Sequence, residues 1–562
     1  MILCVLLSAM ALAYFYAADH WFFSTQYMSG IFRYLLMNDD FDTAWLTLGV
    51  CTLAACWKRP AAPFKVVDWI GAHMAAVATA TVILLALGAV FVYHHTAFSM
   101  DEYAEVFQAK IFAAGHLSAH LPPSVVDWLV TPGFNGGFLI ASRTTGEAIE
   151  VFWPGFSLIL APFEAVGLSW LCNPCLAGFA IFLIHRITLN ITDDRRAAGW
   201  AVLFTLASGA FVANAISYYS MQSRLTANLL FVWLLLKPTP RRSFGAGVVG
   251  SLALILHSPF PHALFAAPWI IAMLRSKEQR RCFFPLSLGY LPLLAVVGAG
   301  WLHLRGVINT GNSSLDLISN SIDSAFSFPD ASMIDMRVAA VVKMWIWAVP
   351  CLFPLAVLGR LRRGGDDRVR LLAQSAAVTF VGYLVVIFDQ GHGWGYRYFH
   401  SAWGVMPILA ACAMTGRQES NGRLAAFVGA AALLNLLLVV PYQMNQIDVI
   451  IARHSQQLPK PRRPGQNVYF IHDDTGFYIA DLVQMDPLLK APDLVLASRG
   501  RELDAELRRQ NWPAAVLVER GTGVEEWSIG PTYQRQAPAS TTGAERFAFS
   551  DSSRNQAQGT SP

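Results

Sequence analysis

The sequence has little charge. Of its 562 residues, 14% are Asp, Glu, Lys or Arg and 55% are hydrophobic, whereas soluble domains carry roughly 25% charged residues. This shortage excludes most soluble folds and intrinsic disorder, and a formal net charge of +4 is too small to indicate a nucleic-acid partner. Together with a mean hydropathy of +0.43, the composition predicts a membrane protein that is embedded in the lipid bilayer.

Two further features are missing. The eight cysteines show no zinc-finger spacing, and the run Cys-Asn-Pro-Cys at 172–175 lacks a surrounding βαβ unit, which favours packing or an incidental disulfide over redox chemistry. The apolar stretch at 2–18 has no basic region before it and no convincing cleavage site. It is therefore interpreted as a retained membrane anchor rather than as a signal peptide.

Apolar segments long enough to span a membrane, about 20 residues each, are abundant. Lys and Arg concentrate in alternate loops between them, with about twenty in clusters and about seven in the other loops, and such clusters mark the cytoplasmic side. This bias predicts about 13 crossings, with the N-terminus cytoplasmic and the C-terminus external. One more crossing would place every later basic cluster on the external side of the membrane. The apolar stretch 152–168 is therefore predicted to lie along the interface or to re-enter from outside.

The composition changes along the chain and predicts three regions. An all-α transmembrane domain covers 1–452, a small external α/β domain covers 453–535, and a tail rich in Ser, Thr, Ala and Gln at 536–562 is predicted to be disordered. A Pro-rich linker at 458–464 precedes β-prone runs at 468–471, 494–497 and 515–518. Within the first domain, the longest external loop is 94–150.

Acidic residues on the external side are candidates for chemistry, because charges beside a membrane are costly and tend to be functional. A helix opening near 100 would place Tyr103 and Phe107 on an apolar stripe. Asp101, Glu105 and Gln108 would lie on the opposite face, which predicts an amphipathic helix on the membrane surface. Asp101 is then either a functional acid or an N-terminal charge that the helix dipole favours.

Three motifs resemble those of the GT-C membrane glycosyltransferases, most nearly the protein mannosyltransferase and aminoarabinose transferase type. The first is Asp-Glu-Tyr-Ala-Glu at 101–105, in the long first external loop. Phe-Trp-Pro-Gly-Phe-Ser at 152–157 resembles the start of the family's interfacial helix, and Gly-His-Gly-Trp-Gly-Tyr-Arg-Tyr at 391–398 resembles its late glycine and aromatic motif. The resemblance covers residues 68–415 and implies a GT-C-like fold with interfacial helices in the first loop.

The resemblance implies an inverting glycosyltransferase of a bacterial inner membrane. Such enzymes pass a sugar from a polyprenyl-phosphate donor to an acceptor on the external face, here a lipid, glycan or protein of the cell envelope. Inversion in one displacement needs a base on the acceptor hydroxyl, and the family's first-loop Asp corresponds to Asp101. Arg397 is the candidate phosphate anchor, because a guanidinium can bind two phosphate oxygens; its alternative role is snorkelling to the interface.

Further candidates follow from the same resemblance. The expected substrate-binding residues besides Arg397 are Glu102, Trp153, Tyr219 and Tyr396. Some relatives hold a divalent metal ion with a carboxylate and a later histidine, for which Glu150, His257 and His262 lie in suitable regions. The chain departs from the relatives in having only Pro154 where they have Pro-Pro, and in lacking an acid near Tyr219.

Two other functions stay open. A transporter or flippase of a lipid-linked substrate fits the number of spans, although the sequence shows neither an inverted repeat nor a pair of broken helices, which many transporters have. A homologue that binds a lipid-linked sugar without turnover fits the missing acid near Tyr219. An enzyme requires Asp101 on the external side, so a cytoplasmic position for this residue would contradict the mechanism.

Overall fold

The computed structural model describes residues 1–20, 30–57, 61–308, 331–385, 392–415, 422–459, 467–473, 476–491, 493–521 and 523–529. The predicted disordered tail at 536–562 lies outside these ranges, as do Gly391 of the third motif and residues 460–464 of the linker. The chain divides into two compact units. The first unit is Met1–Ala97, Trp153–Leu302 and Ser314–Ile451; the second unit is Phe98–Phe152, His303–Ser313 and Ala452–Pro562.

Helices dominate the described chain, and several begin at side chains that cap them. Asp194 accepts a hydrogen bond from the Arg196 amide at the start of the tenth helix, and Thr239 accepts one from the Arg242 amide at the start of the thirteenth. The helices of the first half are α1 (Ile2–His20), α2 (Gly30–Tyr34), α3 (Phe41–Cys56), α4 (Ala61–Ala72), α5 (Met74–Phe91), α6 (Met100–Ala113), α7 (Val126–Leu129), α8 (Gly155–Ala165), α9 (Cys172–Thr192), α10 (Arg195–Leu206), α11 (Gly209–Ile216), α12 (Met221–Leu235) and α13 (Pro240–Leu254).

The second half of the chain is also mainly helical. Three π-helical segments interrupt the regular helices, one in the first half and two in the second: Leu35–Asp40, Leu294–Gly298 and Asn435–Val439. Such turns are frequent at functional sites. The remaining helices are α14 (Phe260–Arg275), α15 (Phe283–Leu293), α16 (Ala299–Ile308), α17 (Ala331–Ile346), α18 (Leu352–Arg362), α19 (Asp367–Gly382), α20 (His400–Trp403), α21 (Val405–Cys412), α22 (Gly422–Leu434), α23 (Val440–Ser455) and α24 (Arg501–Asn511).

Four described helical segments are long and apolar enough to span a membrane: Met74–Phe91, Ser169–Thr192, Arg280–Ile308 and Gly422–Ser455. A fifth is the pair α10 and α11 if their bend of 65° is counted within one span. Other predicted spans correspond to shorter helices, so the number of about 13 crossings stays a prediction. Helix α8 has 11 residues, a rise of roughly 17 Å, and is too short to cross about 30 Å of hydrocarbon.

Glycines allow helices of the first unit to approach closely. A Cβ added to Gly359 of α18 would overlap the carbonyl oxygen of Leu409 in α21, and one added to Gly199 of α10 would overlap the carbonyl oxygen of Val67 in α4. Small residues at such contacts are typical of membrane helix packing. The eight cysteines, including Cys172 and Cys175, are all free.

Gly359→Ala is expected to destabilise the first unit by about 1–3 kcal/mol, because the added methyl group must push two helix backbones apart. Gly49→Ala is the matched control, since its Cβ would meet no atom within 4 Å, and it is expected to stabilise α3 by about 0.5–1 kcal/mol. Thermal unfolding of the purified protein in detergent measures both changes. Equal midpoints for Gly359→Ala and the parent protein would contradict the close contact between α18 and α21.

Short strands occur in both units: β1 (Ala119–His120), β2 (Leu139–Ala141), β3 (Glu147–Glu150), β4 (Trp153–Pro154), β5 (Leu256–His257), β6 (His392–Gly393), β7 (Gly395–Tyr396), β8 (Asn467–Ile471), β9 (Leu494–Ala497), β10 (Val516–Arg520) and β11 (Val524–Ser528). The second unit holds a three-stranded sheet in the order β1-β3-β2 and a four-stranded sheet in the order β10-β11-β8-β9. Strands β8 and β9 are parallel, with Val468 opposite Leu494. The β-prone runs predicted in the tail each overlap a strand of this second sheet.

The first external loop folds differently from the prediction. Residues 98–152 form a compact unit with the tail, although the sequence assigned them to the transmembrane domain. Glu105 and Gln108 of α6 are 1% and 0% exposed, so the polar face that the periodicity predicts for this helix is buried within the second unit. The physical reason is that the loop covers this side: the Gln108 amide donates to the Leu117 carbonyl at 3.0 Å and accepts from the Glu150 amide at 3.1 Å.

Candidate functional site

A glycine-rich hairpin carries the third motif into the interior of the first unit. Strands β6 and β7 pair antiparallel, and Trp394 forms the turn between them. Gly393 and Gly395 have φ angles of 147° and 75°, a region that favours glycine. Arg397 follows directly and starts a short 3₁₀ turn. The glycines of the motif are therefore needed for the backbone path that delivers Arg397.

Arg397 stacks on Tyr219. It is 2% exposed, and its Cζ lies 4.3 Å from the centroid of the Tyr219 ring, within the range of a cation–π interaction. The Asn173 amide donates to the carbonyl oxygens of Ser217 and Tyr219 at 2.7 and 2.9 Å, which fixes the segment between α11 and α12. The structure thus brings together two predicted site residues that lie far apart in the sequence.

A second buried guanidinium lies in the same region. Arg224 occupies the first turn of α12 and is 5% exposed. It acts electrostatically on His257 and His400, and Arg397 also acts on His257. A cation in the first turn adds to the positive end of the helix dipole, so this part of the first unit favours an anion. Arg224 was not among the sequence candidates; the available signal was a single arginine at the end of an apolar segment.

The second motif holds the segment that carries His257. Strand β4 pairs with β5, with Trp153 opposite His257, and the Gly155 amide donates to the Ile255 carbonyl at 2.9 Å. A Cβ on Gly155 would lie 2.7 Å from that carbonyl oxygen, so glycine is required for the pairing. Trp153 and His257, predicted for different roles, are therefore neighbours.

Aromatic side chains continue from the hairpin. Tyr396 is 5% exposed, and its ring centroid lies 5.9 Å from that of Tyr398. Tyr398 in turn stacks on Tyr383 at 4.8 Å. The residues that flank Arg397 are therefore held in an aromatic layer, which restricts the conformations of the Arg397 backbone.

The predicted metal set does not fit the structure. Both ring nitrogens of His262 are engaged, with Nδ1 2.7 Å from the Asn228 side-chain oxygen and Nε2 2.7 Å from the Tyr290 hydroxyl. Glu150, in the second unit, is fully buried and acts electrostatically on Arg305. Within the described ranges, no three His, Cys, Asp or Glu side chains are grouped so that they could hold a metal ion. No chemical step is therefore assigned to a divalent ion.

A buried ion pair supports the hairpin. The Lys343 ammonium lies 2.7 Å from the Asp40 carboxylate, and their side chains are 0% and 1% exposed. Lys343 also donates to the Gly393 carbonyl at 3.0 Å, and the Trp347 indole donates to Asp40 at 2.6 Å. Neither charged residue was among the sequence candidates, although Lys343 is a rare charge within a predicted span. The pair ties α17 to the hairpin that precedes Arg397.

Lys343→Met is expected to destabilise the first unit by about 3–5 kcal/mol, because it leaves the Asp40 carboxylate buried without its cation. The double variant Asp40→Asn, Lys343→Met removes both charges and is expected to recover most of that loss. Chemical unfolding in detergent measures the single and double variants. Additive losses in the double variant would show that the two side chains do not stabilise each other.

In the second unit, α6 places Asp101 in its first turn. Ser99 and Glu102 form a capping box, in which Glu102 accepts hydrogen bonds from the amides of Phe98 and Ser99 at 3.1 and 3.2 Å. Glu102 is 0% exposed, so its carboxylate stabilises the start of the helix, and its predicted contact with substrate stays a prediction. Asp101 is partly exposed and is the acid of this turn that solvent and ligands can reach.

Comparisons with known proteins concern the fold. No protein-family model and no curated protein matches the sequence. The structure of ArnT from Cupriavidus metallidurans bound to undecaprenyl phosphate aligns with a TM-score of 0.52 and 12% identity, covering 82% of this chain and 98% of that chain. The same protein in the apo state aligns with a TM-score of 0.49 and 13% identity, covering 81% of this chain and 98% of that chain. The apo oligosaccharyltransferase of Archaeoglobus fulgidus aligns with a TM-score of 0.41 and 13% identity, covering 68% of this chain and 58% of that chain. The first alignment shows that the described chain shares the fold of this ArnT structure, in agreement with the mostly helical, aminoarabinose-transferase-like fold that the resemblance implies.

Proposed function

We propose that this chain is an inverting glycosyltransferase that moves a sugar from a polyprenyl-phosphate donor to a cell-envelope acceptor on the external face of a bacterial inner membrane. The observation that carries this proposal is the Arg397 guanidinium, buried in the first unit and stacked on Tyr219. Arg224 adds a second cation at a helix N-terminus. The ArnT structure contains undecaprenyl phosphate, which supports a polyprenyl phosphate as the lipid partner.

The proposed reaction is a single displacement at the anomeric carbon. Arg397 donates two N–H groups to oxygens of the donor phosphate. The acceptor hydroxyl attacks the anomeric carbon while Asp101 removes its proton. The bond between the anomeric carbon and the phosphate oxygen breaks on the opposite side, so the configuration inverts. The lipid phosphate leaves with the bonding electrons, and Arg397 and Arg224 stabilise its developing negative charge. Trp153 is the partly exposed aromatic residue of the predicted set and offers an aromatic face to the sugar, while the Tyr219 ring holds Arg397 by stacking.

A transfer assay tests the function. The full-length protein is reconstituted in liposomes with radiolabelled undecaprenyl-phosphate-linked pentose or hexose and with envelope lipids, glycans or proteins as acceptors. The expected result is label on an acceptor, an inverted anomeric configuration and released undecaprenyl phosphate. Label that crosses the bilayer with its phosphate bond intact would indicate a transporter instead. Binding of undecaprenyl phosphate without any release of sugar would indicate a non-catalytic homologue.

A further inference from the structure

The tail of the chain contacts the start of α6 within the second unit. The Met100 amide donates to the Asp481 carboxylate at 2.8 Å, and the Tyr103 hydroxyl donates to the Met485 carbonyl at 2.8 Å. Residues 100 and 103 are one helical turn apart, and Asp101 lies between them. Two hydrogen bonds that α6 donates to one short tail segment therefore fix the turn that carries Asp101.

Asp481 is itself held firmly. It lies in a 3₁₀ turn, Ile479–Leu482, is 4% exposed, and accepts a second hydrogen bond from the Tyr478 hydroxyl. The Tyr478 ring packs against Phe98 and His454, with centroids 5.5 and 5.8 Å away. A His454 ring nitrogen lies 2.9 Å from the Tyr478 carbonyl oxygen. Since Phe98 shortly precedes α6, both sides of the contact are anchored by the same aromatic cluster.

The surroundings of Asp481 couple it to the acids of α6. Burial raises the pKa of the Asp481 carboxyl to about 7, and the nearby carboxylates of Asp101 and Glu102 raise it as well. The hydrogen bonds from the Met100 amide and the Tyr478 hydroxyl act in the opposite direction. Like charges disfavour each other's ionised form, so the two carboxylates at the start of α6 favour the protonated form of Asp481.

We propose that Asp481 is a positioning residue for sugar transfer, which acts by accepting the Met100 amide and so fixing the direction of the Asp101 side chain. This inference rests on the proposed function, in which Asp101 is the base. A base has to lie within hydrogen-bond reach of the proton it removes, and a displacement of about 1 Å can cost roughly 100-fold in rate. The C-terminal domain is thereby part of the catalytic apparatus, although Asp481 touches no substrate.

Two substitutions separate the roles of Asp481. Asp481→Ala removes the acceptor and is expected to lower kcat by about 10–100-fold, with the donor KM unchanged because Arg397 and Tyr219 are intact. Asp481→Asn keeps an acceptor oxygen and is expected to restore kcat to within a few fold. The matched control is Asp493→Ala, which removes an acceptor for the Asn467 amide in the same tail and is expected to leave kcat unchanged. All variants are assayed as full-length protein with radiolabelled undecaprenyl-phosphate-linked pentose and hexose.

Hydrogen exchange of the amides at 100–103 gives a readout that does not depend on catalysis. Asp481→Ala is expected to lose protection there, whereas Asp493→Ala keeps it. Unchanged protection in Asp481→Ala overturns the proposed contact, and lost protection with unchanged kcat overturns the positioning role. A parent protein that shows the protection but transfers no sugar refutes the proposed function, and the role of Asp481 with it, while leaving the contact itself established.

Thermal unfolding against pH gives a third readout. The folded-state pKa of Asp481 lies near 7, above the ordinary value of about 3.9. Its protonation therefore stabilises the folded protein fully below about pH 4, and this contribution is lost as the pH rises through about 7. The midpoint of the parent protein is expected to fall more steeply between pH 5 and 8 than that of Asp481→Asn. Parallel curves would contradict the burial of an ionisable Asp481.

Discussion

Asp101→Asn is expected to lower kcat for sugar transfer by about 100- to 10,000-fold, the usual contribution of a positioned general base. The amide has nearly the shape of the carboxylate but cannot accept the proton of the acceptor hydroxyl. Met100 and Glu102 fix the turn through their own hydrogen bonds, so the helix is expected to remain folded. Steady-state transfer from an undecaprenyl-phosphate-linked sugar measures kcat and the donor KM, and the KM is expected to change little.

The matched control for this variant is Asp127→Asn. Asp127 lies in the same loop, 94–150, and pairs with Arg143 at 2.7 Å. Arg143 is largely exposed, and exposed ion pairs contribute little to stability. Its kcat is expected to equal that of the parent protein. If Asp101→Asn and Asp127→Asn transfer sugar equally well, Asp101 is not the base.

Arg397→Lys is expected to lower kcat/KM by about 100- to 1,000-fold, the range found when one group that stabilises developing negative charge is removed. Lysine keeps the positive charge but loses the planar group that stacks on Tyr219 and can donate two parallel hydrogen bonds to a phosphate. Undecaprenyl phosphate alone is expected to bind at least about tenfold more weakly to this variant. Binding is measured by titration of the purified protein, and transfer by the assay above.

The matched control is Arg242→Lys. The guanidinium of Arg242 lies 5.2 Å from the Trp233 ring centroid and donates to the Leu234 carbonyl at 3.0 Å, so it makes the same type of interaction elsewhere in the first unit. Its substitution is expected to leave undecaprenyl phosphate binding unchanged. Equal weakening by both substitutions would mean that general destabilisation, rather than a lost phosphate contact, explains the effect of Arg397→Lys.

The predictable part of the site consists of residues within continuous motifs. Asp101 was singled out because an acid at the start of an amphipathic pattern is unusual beside a membrane, and Arg397 because glycines and aromatics surround it. The roles proposed for both residues rest on the resemblance of their motifs. Arg224, Lys343 and Asp481 were missed. The sequence offers only single charged residues at these positions, and nothing local distinguishes a buried ion pair or a helix-capping acid from a solvated charge.

The same limit explains the errors about the first loop. Glu105 and Gln108 belong to the predicted polar face of α6, and such faces are normally solvated. Both are buried, because the loop and the tail fold around α6 within the second unit. Periodicity reports which side chains share a face of a helix, but it contains no information about which distant segment covers that face.

The sequence by itself determined the membrane class, the helical segments and the order of the motifs along the chain, because hydrophobic length, charge bias and turn residues act locally. The fold was expected from the resemblance of three motifs. Tertiary structure alone decided which side chains meet. Asp40 pairs with Lys343 across 303 positions of chain, and Met100 bonds to Asp481 across 381. Such contacts form because burying a polar group is costly unless a partner compensates it, and which partner is within reach depends on how the helices and the tail pack.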